Sequence, residues 1–204
     1  EGSVTIIGAV SPQGSDFSEP VTQNTKRFVR AFWALDKSLA YARHYPAINW
    51  TTSYSEYVDE LAPYYNEHYG DEFLQCRQRI SNILAEEARL MEIVKLIGAD
   101  VLPEDQKLVI ETARIIRVGF LQQNAFHAED TYVPLEKQLG MMQIILYFYD
   151  SAMKMAKNSI PVSLITKTGI TDSIVKIKYD VPNSQLEKLQ EYYPLIDQKL
   201  AEVK

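Results

Sequence analysis

One cysteine, three histidines and eight glycines in 204 residues close off several kinds of chemistry. Cys76 has no partner within the chain, so an internal disulfide is excluded, which fits a reducing compartment. His44, His68 and His127 do not follow a Glu or Cys by three or four residues, so neither a di-iron bundle nor a zinc site has ligands at ligand spacing. No glycine is followed by lysine, which removes the phosphate loop G-x-x-x-x-G-K-[ST]. No G-x-S-x-G elbow is present either, and Cys76 falls at a core-like position within a helical pattern, where a thiol is inert. Neither a catalytic nor a metal-ligating set of residues is therefore expected.

Long apolar runs are missing as well. Met141–Tyr149 is about half of the ~20 residues that a membrane-spanning helix needs. The opening residues lack the basic-then-apolar layout of a secretory signal, and the chain reads as soluble and cytoplasmic. A net charge of −6 with interspersed signs argues against a nucleic-acid partner. The excess of tyrosine, 13 against 7 Phe and 2 Trp, suits half-buried faces and interfaces.

What is present is mostly helical. Ser3–Val10 reads as a short buried strand with no obvious neighbour, as if cut out of a larger sheet. Phe28, Phe32, Leu35 and Leu39 predict one amphipathic helix over 22–43, and Ala47–Trp50 a short strand. A polar, tyrosine-rich connection follows. Long helices are predicted over 71–98, ended by Gly98, from Pro103 to Gln122, and over 135–157. A last helix is predicted after a Ser184/Glu187 capping box, kinked at Pro194. The expected fold class is mainly α, with a boundary near Gly70. Residues 1–70 would be the last strand-loop-helix part of an α/β domain, and 71–204 a helical bundle.

The loop Ser11–Thr25 resembles a phosphate loop in layout but not in chemistry, since Asp16 and Glu19 would repel phosphate. Four blocks in order, "GAVSPQGSDFSEPVTQNT", "HYPAINWTTSYSEY", "DVLPEDQKLVIETARIIR" and "FLQQNAFHAEDTYVPLEKQ", resemble the catalytic A subunit of V/A-type rotary ATPases. The resemblance covers Ser3 to about Asp150. It implies a segment of a longer, torque-generating subunit that lies downstream of the phosphate loop, inactive alone, with ATP or ADP and Mg bound only by the full-length subunit. Carried onto matching positions, it implies an adenine pocket of Tyr45 and Phe126, with Asn124 and Ala125 beside them. The family more often has Phe at the position of Tyr45.

The loop with Gln13 and Asp16 and the acidic turn with Glu104 and Asp105 resemble rotor-facing loops of the related F-type β subunit. The implied partners are the non-catalytic B subunit, in an alternating hexamer, and the central rotor stalk. The membrane would be reached only through the assembled complex. Beside this stand two readings of other classes: a stand-alone helical interaction module, and an enzyme with tyrosine-rich pockets for another substrate.

Overall fold

A computed structural model describes residues 2–203. The N-terminal part is irregular. Residues 2–10 form no regular element, and Val4, Ile6 and Ile7 are 90%, 89% and 81% exposed. The expected buried strand over Ser3–Val10 is instead an exposed segment. A β-branched run becomes a ladder only when a neighbour satisfies its amides, and among the described residues none does.

The helix expected over 22–43 is broken in two. α1 (Pro20–Phe28) opens with proline at its first turn, and α2 (Lys37–Tyr41) is capped by Asp36. Between them β1 (Ala31–Phe32) pairs antiparallel with β2 (Tyr54–Ser55). Periodicity at Phe28, Phe32, Leu35 and Leu39 is outweighed by two local effects. Phe32 packs on Tyr54 across the ladder, ring centroids 5.9 Å apart. The Asp36 carboxylate accepts the Ser38 amide at 2.7 Å, which starts a new helix there. Ala47–Trp50 contributes only an antiparallel bridge, Leu35 to Ile48, closed by Asn49 Nδ2 donating to Asp36 at 2.9 Å.

The tyrosine-rich stretch read as a connection holds a helix, α3 (Val58–Tyr69), with Pro63 inside it. Packing overrides the proline: Tyr65 stacks on Phe73 with centroids 4.7 Å apart and planes 4° from parallel. Gly70 then turns the chain at φ 65°, in the left-handed region.

Beyond it the long helices fall where periodicity puts them. α4 (Glu72–Ile97) ends at Gly98, at φ 86°, and α5 (Glu104–Ile115) starts after Pro103. α5 runs on as a π-helical segment, Ile116–Leu121, and α7 (Leu135–Lys157) follows a short α6 (Ala128–Thr131). Leu90 of α4, Leu108 and Ile115 of α5, Ile116, and Ile144 and Phe148 of α7 are fully buried in one core. At about 25 cal/mol per Å² of apolar surface removed from water, burial along this three-helix seam stabilises the fold.

The tail adds α8 (Val162–Lys167), α9 (Ile170–Asp180) and α10 (Tyr192–Ala201). The Ser184/Glu187 capping box does not form. Residues Leu186–Glu191 are a 3₁₀ turn without a side-chain cap, and Leu189 seats instead over Gly140, where an added Cβ would meet its Cδ1 at 2.6 Å. Gly119 lets the π segment approach α9 closely, since a Cβ there would lie 3.0 Å from the Val175 Cα.

Asp36 is the clearest local determinant in the N-terminal part, and its hydrogen bonds to Ser38 and Asn49 hold its carboxyl below the ordinary range. Because the folded-state pKa is lowered, its contribution is present above about pH 4 and lost as pH falls through the lowered value. Asp36→Ala should therefore cost about 1–2 kcal/mol at neutral pH. In urea unfolding repeated at decreasing pH, the gap between the two proteins should close at the acid end.

Candidate functional site

The residues around Tyr45 are fixed by their neighbours. His44 is buried, its ring packing on Trp50 at 5.5 Å, and its Nε2 lies 3.0 Å from the Arg117 carbonyl oxygen. That partner accepts only, so Nε2 carries the proton. Arg43, with a left-handed φ of 56°, offers its carbonyl to Gln122 Nε2 at 3.2 Å. Gln123 N–H donates to the Tyr45 carbonyl at 2.7 Å. These three bonds fasten the Arg43–Tyr45 strip to the first turn of the π segment and to the two residues that follow it, and leave Tyr45 53% exposed.

The loop that follows is tightly tied. Asn124 N–H donates to Asp130 Oδ2 at 2.6 Å, and Asn124 Oδ1 accepts the Phe126 amide at 3.0 Å. Thr131 Oγ1 donates to the Ala125 carbonyl at 2.8 Å. The backbone is thus held while the Phe126 ring is 100% exposed. A phenyl ring with its whole surface in water adds nothing to the core, so core packing does not account for Phe126. The structure brings Tyr45, Asn124, Ala125 and Phe126 onto one hydrogen-bonded strip.

Beneath the strip lies a cluster that the sequence did not single out. Lys178 of α9 is 2% exposed; its Nζ donates to the carbonyls of Val118 (2.8 Å) and Gln122, with the Asp130 carboxylate 3.9 Å away. Lys137 of α7 is wholly buried and donates to Lys178 O (3.0 Å) and Asn183 Oδ1 (2.9 Å). Burial pushes both ammonium groups below the usual lysine range, against the pull of Asp130 and, for Lys137, of Glu129 as well. The signal was in the pattern. Lys178 continues the apolar stripe of Ile170, Ile174 and Ile177, and Lys137 that of Met141 and Ile144.

The residues expected to face a rotor lie away from the strip. Gln13 and Asp16 are exposed, and Asp16 accepts the Ser18 amide and hydroxyl at 2.9 and 2.6 Å, a local turn that lowers its pKa. Glu104 is engaged: it accepts from Lys107 Nζ at 2.8 Å and from the Val162 amide at the start of α8 at 2.7 Å. Asp105 is half-buried and bonds the adjacent Gln106 amide. The exposed surface at that end is the α4–α5 turn, with Leu96 85%, Ile97 55% and Val101 66% exposed, beside Asp100.

A cleft of about 690 Å³ opens between α3, α4, the π segment and α7, lined by Trp50, Leu61, Tyr65, Phe73, Phe120 and Met142 among others. Neither Tyr45 nor Phe126 lines it. The candidate site is placed instead on the hydrogen-bonded strip, which holds Tyr45, Asn124, Ala125 and Phe126. Among the described residues no group of three His, Cys, Asp or Glu side chains is arranged to hold a metal ion.

The helical part matches a known class. Residues 62–165 match the family model described as the C-terminal domain of V and A type ATP synthase, and the chain belongs to that family. Residues 1–55 match the nucleotide-binding domain of the ATP synthase alpha/beta family. Curated relatives include the V-type ATP synthase alpha chain 2 of Clostridium tetani, 56% identical over 97% of this chain and 35% of its own length. The V-type ATP synthase alpha chain of Halothermothrix orenii is 50% identical over 97% of this chain and 34% of its own. The chain therefore spans about a third of the length of these relatives. Both matches take in the tail after Ser151, which the four blocks of resemblance did not reach. Among solved structures, the ATP synthase subunit NeqB from Nanoarcheaum equitans shares the fold, with a TM-score of 0.52 at 20% identity, over 66% of this chain and 33% of that one. Of the readings weighed from sequence, the ATP synthase family is the one that holds.

Glu104 bridges α5 and α8, so its role in folding can be separated from any role in contact. Glu104→Ala should lower stability by about 1–2 kcal/mol in urea unfolding, and Glu104→Gln, which keeps an acceptor for the Val162 amide, by less.

Proposed function

We propose that this chain supplies the adenine-gripping and torque-transmitting part of the catalytic subunit of an ion-translocating V/A-type ATP synthase. The observation that carries the reading is the Tyr45–Phe126 strip. Two exposed aromatic rings sit on backbone segments joined by the 2.7 Å bond from Gln123 N–H to Tyr45 O, and one of the rings has no part in folding. Flat aromatic faces presented on fixed backbone suit a purine, held by stacking and apolar burial. Asn124 and Ala125 set the spacing of the loop. Phosphates and Mg would be held by residues outside this chain, which has no phosphate-loop motif. ATP synthesis or hydrolysis would thus belong to the whole subunit.

In this reading residues 1–70 belong with the nucleotide-binding domain and 71–204 form the helical domain. Tyr45 comes from the first and Phe126 from the second, so a bound nucleotide ties the two together. α4, 26 residues and about 39 Å long, carries the motion to the α4–α5 turn. There Asp100, Val101, Leu96 and Ile97 offer the surface for a rotor stalk, with Gln13 and Asp16 as a second contact, while Glu104 and Asp105 shape the start of α5. The partners would be B subunits in an alternating ring and the central stalk, on the cytoplasmic face of a membrane reached only through the complex.

The 204-residue chain alone should not hydrolyse ATP, and should bind it in the millimolar range or more weakly, since a stacked base is worth on the order of 1–3 kcal/mol. Micromolar binding in calorimetry would place the nucleotide elsewhere. In the intact subunit, Phe126→Ala should weaken MgADP binding by about 1–3 kcal/mol while shifting unfolding free energy by less than about 0.5 kcal/mol. Tyr45→Phe should be nearly silent, and Tyr45→Ala should resemble Phe126→Ala without adding to it. A Phe126→Ala protein that loses stability and keeps its nucleotide affinity would refute the adenine assignment.

A further inference from the structure

We infer that Lys178, acting with Asp130, is a positioning residue for nucleotide binding: it fixes the Gln122–His127 backbone from below so that Phe126 is presented in one orientation. The inference rests on the adenine reading of Phe126 and adds the device that makes it effective.

Within the π segment Gln122 N–H reaches back to the Arg117 carbonyl at 2.8 Å. The next amide, Gln123 N–H, leaves the helix for the Tyr45 carbonyl, so the Val118 carbonyl loses the partner that would continue the pattern. A buried carbonyl left unpaired is costly. Lys178 Nζ takes it, and takes the Gln122 carbonyl as well. Asp130, 1% exposed, completes the arrangement by receiving the Asn124 amide and lying 3.9 Å from the same ammonium. The charged or titratable groups around Lys178 are Asp130 of α6, Lys137 of α7, through the Lys178 carbonyl, and the Tyr179 ring at 5.0 Å.

Stability does not explain this choice of residue. A buried ion pair is often no better, and sometimes worse, than apolar side chains of the same volume. An ammonium with several donors does what an apolar side chain cannot: it binds two carbonyls at a helix end and sets where the following loop departs. Stacking needs that, because a ring on a wandering loop must be ordered each time a nucleotide binds, and the ordering weakens binding.

The test uses the intact subunit in its assembled complex, with MgADP and inorganic pyrophosphate titrated by calorimetry and amide exchange followed at Asn124 and Phe126. Lys178→Met should raise the Kd for MgADP about fivefold or more, within the worth of one stacked base, while leaving that for pyrophosphate unchanged. It should also speed exchange at the two amides, and the Phe126→Ala/Lys178→Met double variant should bind no more weakly than Phe126→Ala alone. If Phe126→Ala weakens MgADP and Lys178→Met does not, the positioning role is wrong and the adenine reading stands. If Phe126→Ala itself has no effect, the adenine reading falls and takes the inference with it. Equal loss for MgADP and pyrophosphate would mark a general structural defect and overturn the role. Should Lys178→Met fail to fold, Asp130→Ala removes the acceptor of the Asn124 amide and leaves Lys178 on its two carbonyls. It must then show the same selective loss, and its absence counts against the proposal in the same way.

Discussion

An ammonium group in a place without water is the constraint around which this molecule is arranged. Lys178 cannot be buried unless its protons find acceptors, and the acceptors it finds are the main-chain oxygens where the π segment ends. Because those oxygens are claimed from α9, Gln123 is free to turn outward to the Tyr45 carbonyl, and the irregular N-terminal part is joined to the helical part at that point. His44 and Gln122 strengthen the same junction from either side. Lys137 repeats the motif one layer down, holding the Lys178 carbonyl and Asn183 and so linking α7, α9 and the chain leading to α10. Removing Lys178 would leave two main-chain carbonyls without that partner, and removing Lys137 the Lys178 carbonyl and the Asn183 side chain.

Periodicity made the helices of the bundle legible because nothing local opposes it there. The stripe Phe73, Ile80, Leu84 ends at a glycine, α5 begins behind a proline, and α7 has the predicted ends Leu135 and Lys157. Where the reading failed, a local bond or a missing neighbour decided the outcome. Asp36 split the helix expected over 22–43, ring stacking of Tyr65 on Phe73 carried α3 through Pro63, and Ser3–Val10 had no strand to pair with among the described residues. α8 was missed because it is six residues long; the stripe of α9, Ile170, Ile174 and Ile177, was readable behind the turn at Gly169 and was not read.

For the candidate site, resemblance supplied the residues and the structure supplied their relation. Nothing in composition or spacing joins Tyr45 to Phe126. Their connection runs through backbone atoms of Gln123, which carry no sequence signature. Lys137 and Lys178 were readable in principle, since a lysine that falls on the inner stripe of a helix needs an acceptor close by. Glu104 shows the opposite case. An acid at a helix start invites a reading as exposed surface, and here it is occupied with Lys107 and the first amide of α8.

α9 holds the π segment at two places one turn apart, and the two holds differ in kind. At Val175 the contact is shape alone: a Cβ on Gly119 would lie 3.0 Å from the Val175 Cα and 3.6 Å from its Cγ2, so glycine suits this close approach to α9. At Lys178 the contact is a charge on two carbonyls. Proton activity bears on the second and not on the first, while ionic strength bears little on either, because Lys178 is buried. Loss of the charged contact would leave the glycine contact unchanged, because the two share no atoms. Two fastenings of different chemistry thus hold one segment to α9.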